Sequence, residues 1–148
     1  MTKRRLKLKE WQNMKVLIDT NIILDVLCNR WEFLDDSAKV FKLCEVEKIT
    51  GYISALSIPN IMYILRKELS REKAKNILAK LSLIFRIVDL KAEDLKKAVN
   101  LDFKDFEDAI QSVCASRIKA DYIITRNIKD FSGSKVTAIK PSELFDRI

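Results

Sequence analysis

The chain has 148 residues, 48% of them apolar and 33% charged, which suits one folded domain with a sizeable core. It contains no histidine, and this excludes Ser-His-Asp and Cys-His catalysis as well as histidine-based acid–base cleavage of RNA. The formal charge is +7, but Lys3, Arg4, Arg5, Lys7 and Lys9 against Glu10 supply +4 of it, so the remainder is only mildly basic and permits nucleic acid without requiring it.

In chain order, residues 1–13 read as an appended basic arm with no periodic pattern, and the domain proper is expected over 14–148. The start "MTKRRLKLKE" leads into polar "WQN" and not into an apolar stretch, so no signal peptide is expected. "KVLI" (15–18) reads as a buried strand and "NIILDVLCN" starts a helix. "DDSAKVFKLCEVEK" (35–48) is a second helix, and "TGYI" (50–53) a second strand. "SIPNIMYILRKEL" follows as a helix, with Ser57 as its expected N-cap and Pro59 tolerated in the first turn. "SREKAKNILAKLS" (70–82) is a helix opened by Ser70, "IFRIVDL" (84–90) a strand and "KAEDLKKAVNL" (91–101) a helix. "DFEDAIQSVCASRIKA" (105–120) is a helix with one apolar stripe of Ala109, Ile110, Val113, Cys114 and Ile118. "DYIITRN" (121–127) and "KVTAI" (135–139) are short strands, and "SELFDRI" closes with a helix.

Such alternation predicts an α/β domain with a central parallel sheet covered by helices on both faces. Cys28, Cys44 and Cys114 are odd in number and lie in apolar helical patterns, so they read as small core residues of a cytoplasmic protein. No CxxC pair supports a zinc site, and no GxGxxG or P-loop supports a nucleotide site.

Polar residues at the C-terminal ends of parallel strands are the natural functional candidates. "KVLI" ends at Asp19, Thr20 and Asn21. "DYII" ends at Thr125, Arg126 and Asn127, with Asp130 beyond. In "DFKDFEDA", Asp105 and Asp108 share a helical face; Asp105 also suits a helix cap, while Asp108 directly precedes a buried-looking run. Asp25 either leans back toward Asp19 or sits at a solvated edge. Two like charges 4 Å apart repel by about 4 kcal/mol at an effective dielectric of 20, so converging carboxylates call for a divalent cation. Oxygen-only ligands favour Mg²⁺ or Mn²⁺, which suits metal-assisted phosphodiester hydrolysis.

Together "VLIDTNIILDVL", "YISALSIPNIMYILRK" and "DFEDAIQSVCASRIKADYIITRNIKDF" resemble a PIN domain from Met14 to about Ile148. The resemblance implies a three-layer α/β/α sandwich and a Mg²⁺- or Mn²⁺-dependent endoribonuclease acting on single-stranded RNA. It further implies a VapC-type toxin paired with an antitoxin protein, often as a homodimer. By position, Asp19, Asp108 and Asp130 match the family's metal-binding, catalytic acids, with Asp105 as a further candidate ligand. Thr20, Asn21, Thr125 and Asn127 match its supporting polar residues. Arg126 and Arg66 are candidates for steering RNA. The family's second acid is usually a glutamate, and here that place falls on Asn60, which removes one negative charge. An alternative is therefore a catalytically weak or silent PIN-like module that binds RNA or protein. A receiver-like signalling domain fits less well, because it needs an adjacent acidic pair after the first strand.

Overall fold

The computed structural model describes residues 14–148; the basic arm expected at 1–13 lies outside them. Strand β1 (Lys15–Ile18) shows how the core is divided, because side chains alternate across a strand. Val16 and Ile18 enter one apolar cluster and Leu17 enters another on the opposite face.

The first face is covered by α1 (Thr20–Leu27), α2 (Trp31–Glu45), α3 (Ser57–Glu68), α4 (Arg71–Ile84) and α7 (Pro141–Asp146). The second is covered by α5 (Ala92–Val99), α6 (Phe106–Arg117) and a 3₁₀ turn (Ile128–Phe131). Between them β2 (Thr50–Ser54), β3 (Arg86–Val88), β4 (Tyr122–Ile124) and β5 (Thr137–Ile139) join β1 in one parallel sheet ordered β3-β2-β1-β4-β5. The fold is a three-layer α/β/α sandwich, as the sequence predicts. Each fully buried Ile or Leu on these faces contributes about 1.5–3 kcal/mol.

Several boundaries move. α2 starts at Trp31 rather than at residue 35, and β3 is only three residues long because buried Phe85 closes α4. Ser70 caps α4 as expected, accepting the Lys73 N–H at 3.2 Å. Ser57 does not cap α3; it lies inside the first turn, and the Leu56 N–H before it is taken by Ser54 Oγ. α6 is buried continuously from Ala109 to Ala115, so the single stripe expected there widens to the whole mid-helix circumference. β2 carries Gly51 where a Cβ would stand 2.6 Å from Cys44 Sγ and 2.7 Å from Phe85, which only glycine avoids. All three cysteines are free thiols, and burial pushes Cys44 up to about 12 and Cys114 up to about 11. No helix among the described residues is long and apolar enough to cross a membrane.

The strand order reverses at β1, where the chain runs out through β2 to β3 and then resumes at β4 on the other side. Ligand sites in open parallel sheets form at such a switch point, beyond the C-terminal strand ends. Asp19 and Thr125 occupy that position.

Candidate functional site

Register brings the two together. Ile18 pairs with Ile124, and the Asp19 N–H extends the ladder to the Ile124 carbonyl at 2.9 Å, so Asp19 faces Thr125 across adjacent strand ends. Asp19 is also the N-cap residue of α1, a place where aspartate normally binds a backbone N–H of the first turn. Its side chain does not do so. Thr125 Oγ1 donates to Asp19 Oδ2 at 2.8 Å, and Gln111 Nε2 donates to Oδ1 at 3.2 Å. The Asn127 N–H donates to Thr125 Oγ1 at 3.0 Å and orients that hydroxyl. Asp19 is therefore buried and held by two neutral donors, with no cation matched to it among the described residues.

Asp108 stands in the first turn of α6, half-buried, three residues before Gln111 on the same helical side. Burial is the first cause that pushes its carboxyl up, to about 7; the charges of Asp105, Asp19, Asp130 and Glu107 add to it in that order. Asp105 is the N-cap of α6, and its Oδ1 accepts the N–H groups of Glu107 at 2.8 Å and Asp108 at 3.2 Å. This is the capping role expected for it. Asp130 lies exposed on the 3₁₀ turn that follows β4, a turn the sequence reading did not anticipate. The acids thus grade from buried Asp19 through half-buried Asp108 to exposed Asp130 and Asp105, forming an open edge.

Thr20 Oγ1 donates to Ser57 Oγ at 2.8 Å and ties α1 to α3 beside Asp19. Asn21 is half-buried, while Asn60 is exposed in the first turn of α3. The hydrogen bonds to Asp19 come from Thr125 and Gln111 and not from Asn60. Gln111, 4% exposed, was missed by sequence reasoning. A signal for it existed: one polar residue in the otherwise apolar "AIQSVCA", three after Asp108.

Asp25 neither joins the acids nor sits at a solvated edge. It is fully buried, accepting from Arg126 Nη2 at 3.1 Å and Ser37 Oγ at 3.3 Å, with Arg30 Nη1 3.6 Å away. Arg126 Nε lies 3.0 Å from Asp25 Oδ2, in ion-pair contact but badly aligned for a second hydrogen bond. The Arg126 guanidinium also covers the Phe33 ring at 3.8 Å. Its charge is committed there rather than free to steer RNA. Arg66 is exposed on α3.

Among the described residues no three acidic side chains stand close enough to make a ready-made cation cage. The donor set nevertheless fits a hard cation: all carboxylate oxygens, with the negative charges of Asp105, Asp19, Asp130 and Glu107 all acting on Asp108. Mg²⁺ keeps several waters and is commonly held by only one or two carboxylates, so a preformed cage is not required.

A family model described as PIN domain matches residues 15–129. The chain belongs to the PIN domain family. Solved PIN-type structures share the fold. A VapBC2 complex from Rickettsia felis, bound to a promoter DNA fragment, is 18% identical with a TM-score of 0.70, covering 86% of this chain and 98% of that one. A toxin–antitoxin complex from Klebsiella pneumoniae is 23% identical with a TM-score of 0.63, covering 85% and 97%. VapC20 from Mycobacterium tuberculosis, a toxin that cleaves the sarcin–ricin loop, is 15% identical with a TM-score of 0.58, covering 73% and 86%. No curated protein matches the chain by sequence. In this PIN domain Asp19 stands at the β1–β4 switch point, with Asp108 in the first turn of α6, Asp130 on the turn after β4 and Asn60 exposed on α3.

Proposed function

We propose that this PIN domain protein is a metal-dependent endoribonuclease for single-stranded RNA and the toxin half of a toxin–antitoxin pair. The observation that carries this reading is Asp108: a half-buried carboxyl near the switch point, acted on by the charges of four other acids and in ion-pair contact with no basic side chain among the described residues. Asp19, Asp108 and Asp130 would hold Mg²⁺ or Mn²⁺, with Asp105 contributing charge while it caps α6. The bound cation supplies activation of a water molecule and neutralisation of the phosphate. The protein's own part is placement. Thr125 and Gln111 fix both oxygens of Asp19 without neutralising them, and the open acidic edge admits a long polymer rather than an enclosed small molecule.

The partner reading draws on the toxin–antitoxin complexes that share the fold. Exposed apolar side chains, including Trp31 at 81% and Tyr63 at 65%, offer surface to an antitoxin or to a second copy in a homodimer. Cytoplasmic action accords with the free cysteines.

The test is cleavage of labelled single-stranded RNA with Mn²⁺, with EDTA, and with Asp108→Asn. Loss of cleavage in both controls is expected; cleavage that survives chelation sinks the mechanism. One observation favours a weaker second reading, a binding module of low activity: the place of the family's second acid falls on exposed Asn60. Asn60→Glu raising cleavage well above wild type would support it.

A further inference from the structure

Gln111 carries an unanswered polar atom. Its side chain is 4% exposed, its Nε2 donates to Asp19 Oδ1, and its Oε1 is buried with no hydrogen-bond partner. An ionised carboxylate only accepts hydrogen bonds, so the amide must turn its NH₂ toward Asp19, and this fixes where the carbonyl oxygen lies. Leaving such an acceptor desolvated and unpaired is costly, and structures rarely tolerate it without a ligand or water to complete it. The two heteroatoms of an amide are about 2.3 Å apart by bond geometry, so Oε1 stays within roughly 5.5 Å of Asp19 Oδ1. A water molecule on a cation held by Asp19 would be able to bridge that span.

We infer that Gln111 is a positioning residue of the cation site. Its amide N–H groups set the rotamer of Asp19, and its carbonyl oxygen accepts a hydrogen bond from the hydration shell of a divalent cation. It does so from α6, three residues after Asp108. This inference rests on the metal-centre reading above and names a residue which that reading does not use as a ligand. Partners that orient a metal's ligands are commonly worth 10- to 100-fold in metal affinity.

The experiment is calorimetric titration of Mn²⁺ into the full-length wild type, Gln111→Met, Gln111→Glu, Asn60→Ala and Asp108→Asn proteins, with the melting temperature of each measured in EDTA. Methionine keeps the length and apolar bulk of the side chain and removes both polar atoms. Gln111→Met is expected to bind Mn²⁺ about 10- to 100-fold more weakly. Gln111→Glu keeps an oxygen at the Oε1 position but loses the N–H donated to Asp19, and is expected to bind more tightly than Gln111→Met. Asn60→Ala is expected to stay within about twofold, since no contact to the acids is lost. A purely structural glutamine would lower the melting temperature of both Gln111 variants and leave the Mn²⁺ affinity of Gln111→Met unchanged, which overturns the inference. Should Gln111→Met fail to fold, Gln111→Leu, which also lacks both polar atoms, takes its place, and unchanged Mn²⁺ affinity there overturns the inference. If wild type binds Mn²⁺ no better than Asp108→Asn, the metal-centre reading falls and the role of Gln111 falls with it. Tight wild-type binding beside an unaffected Gln111→Met removes the Gln111 role alone.

Discussion

Two groups of aspartates on the α5–α6 side of the sheet carry similar charge and are treated in opposite ways. Asp94 in α5 is 1% exposed and bound on every side: Arg117 Nε donates to Oδ1 at 3.0 Å, Arg117 Nη2 to Oδ2 at 3.0 Å, and the Lys91 N–H to Oδ2 at 2.9 Å. Burial acts to raise its carboxyl, but these hydrogen bonds and the Arg117 charge outweigh it and hold the group below the usual carboxylate range. Arg117 also reaches Asp89 at 3.2 Å. Asp25 on the other face, with Arg126 and Arg30, repeats the arrangement. At the switch point, Asp19 and Asp108 receive only neutral donors and further carboxylates. The difference separates acids that staple helices from acids with no matched arginine among the described residues. Neither residue type nor burial makes that separation; the presence of a matched arginine does.

The largest effect should come from breaking the matched pair. Arg117→Met leaves Asp94 buried and uncompensated, and is expected to cost about 3 kcal/mol at neutral pH, read as a lower urea midpoint. Next, removing charge from the unmatched group should damage function rather than stability: Asp108→Asn is expected to lower Mn²⁺-dependent RNA cleavage about a hundredfold, or about 2.7 kcal/mol in barrier. Its fold should remain intact by circular dichroism. If stability collapses as well, Asp108 is a structural acid.

The two groups should also respond to pH with opposite signs. Asp94 is held low, so its contribution is present above the ordinary carboxylate pKa and is lost as pH falls through its folded value. Asp108 is held high in the metal-free protein, so its contribution is complete below about 4 and disappears as pH rises through about 7. In EDTA, Asp108→Asn is therefore expected to raise the melting temperature by about 3 °C at pH 8 and to give no gain at pH 4. An equal gain at both pH values would remove the electrostatic explanation.

The smallest effect concerns Asp105, which belongs partly to each class. Asp105→Ala removes the α6 cap and is expected to cost about 1 kcal/mol at pH 5. At pH 8 in EDTA the cost should shrink, because a like charge next to ionised Asp108 goes with it. A cost that does not vary with pH would make Asp105 a cap and nothing more.

Much of this was legible beforehand, and for identifiable reasons. Strand β1, α6 and the alternation between them follow from local periodicity, Asp19 and Thr125 follow from the rule that places ligands beyond parallel strand ends, and Asp108 follows from its helical place before a buried run. Asp105 as a cap needed only its place before a helical run. The fate of Asp25 was not legible. Its partners Ser37 and Arg126 lie 12 and 101 residues away, and no local pattern states which arginine reaches which acid. The role of Gln111 was hidden for the same reason, as its partner Asp19 is 92 residues distant.

By itself, the sequence determined the layers, the strand directions and the absence of histidine chemistry, and it named the candidate acids, because these depend on spacing and on residue type. Tertiary structure alone decided which carboxylates are paired with an arginine and which, among the described residues, are not. Charge pairing is a matter of distances of about 3 Å between groups far apart in the chain, and only the packed helices set those distances.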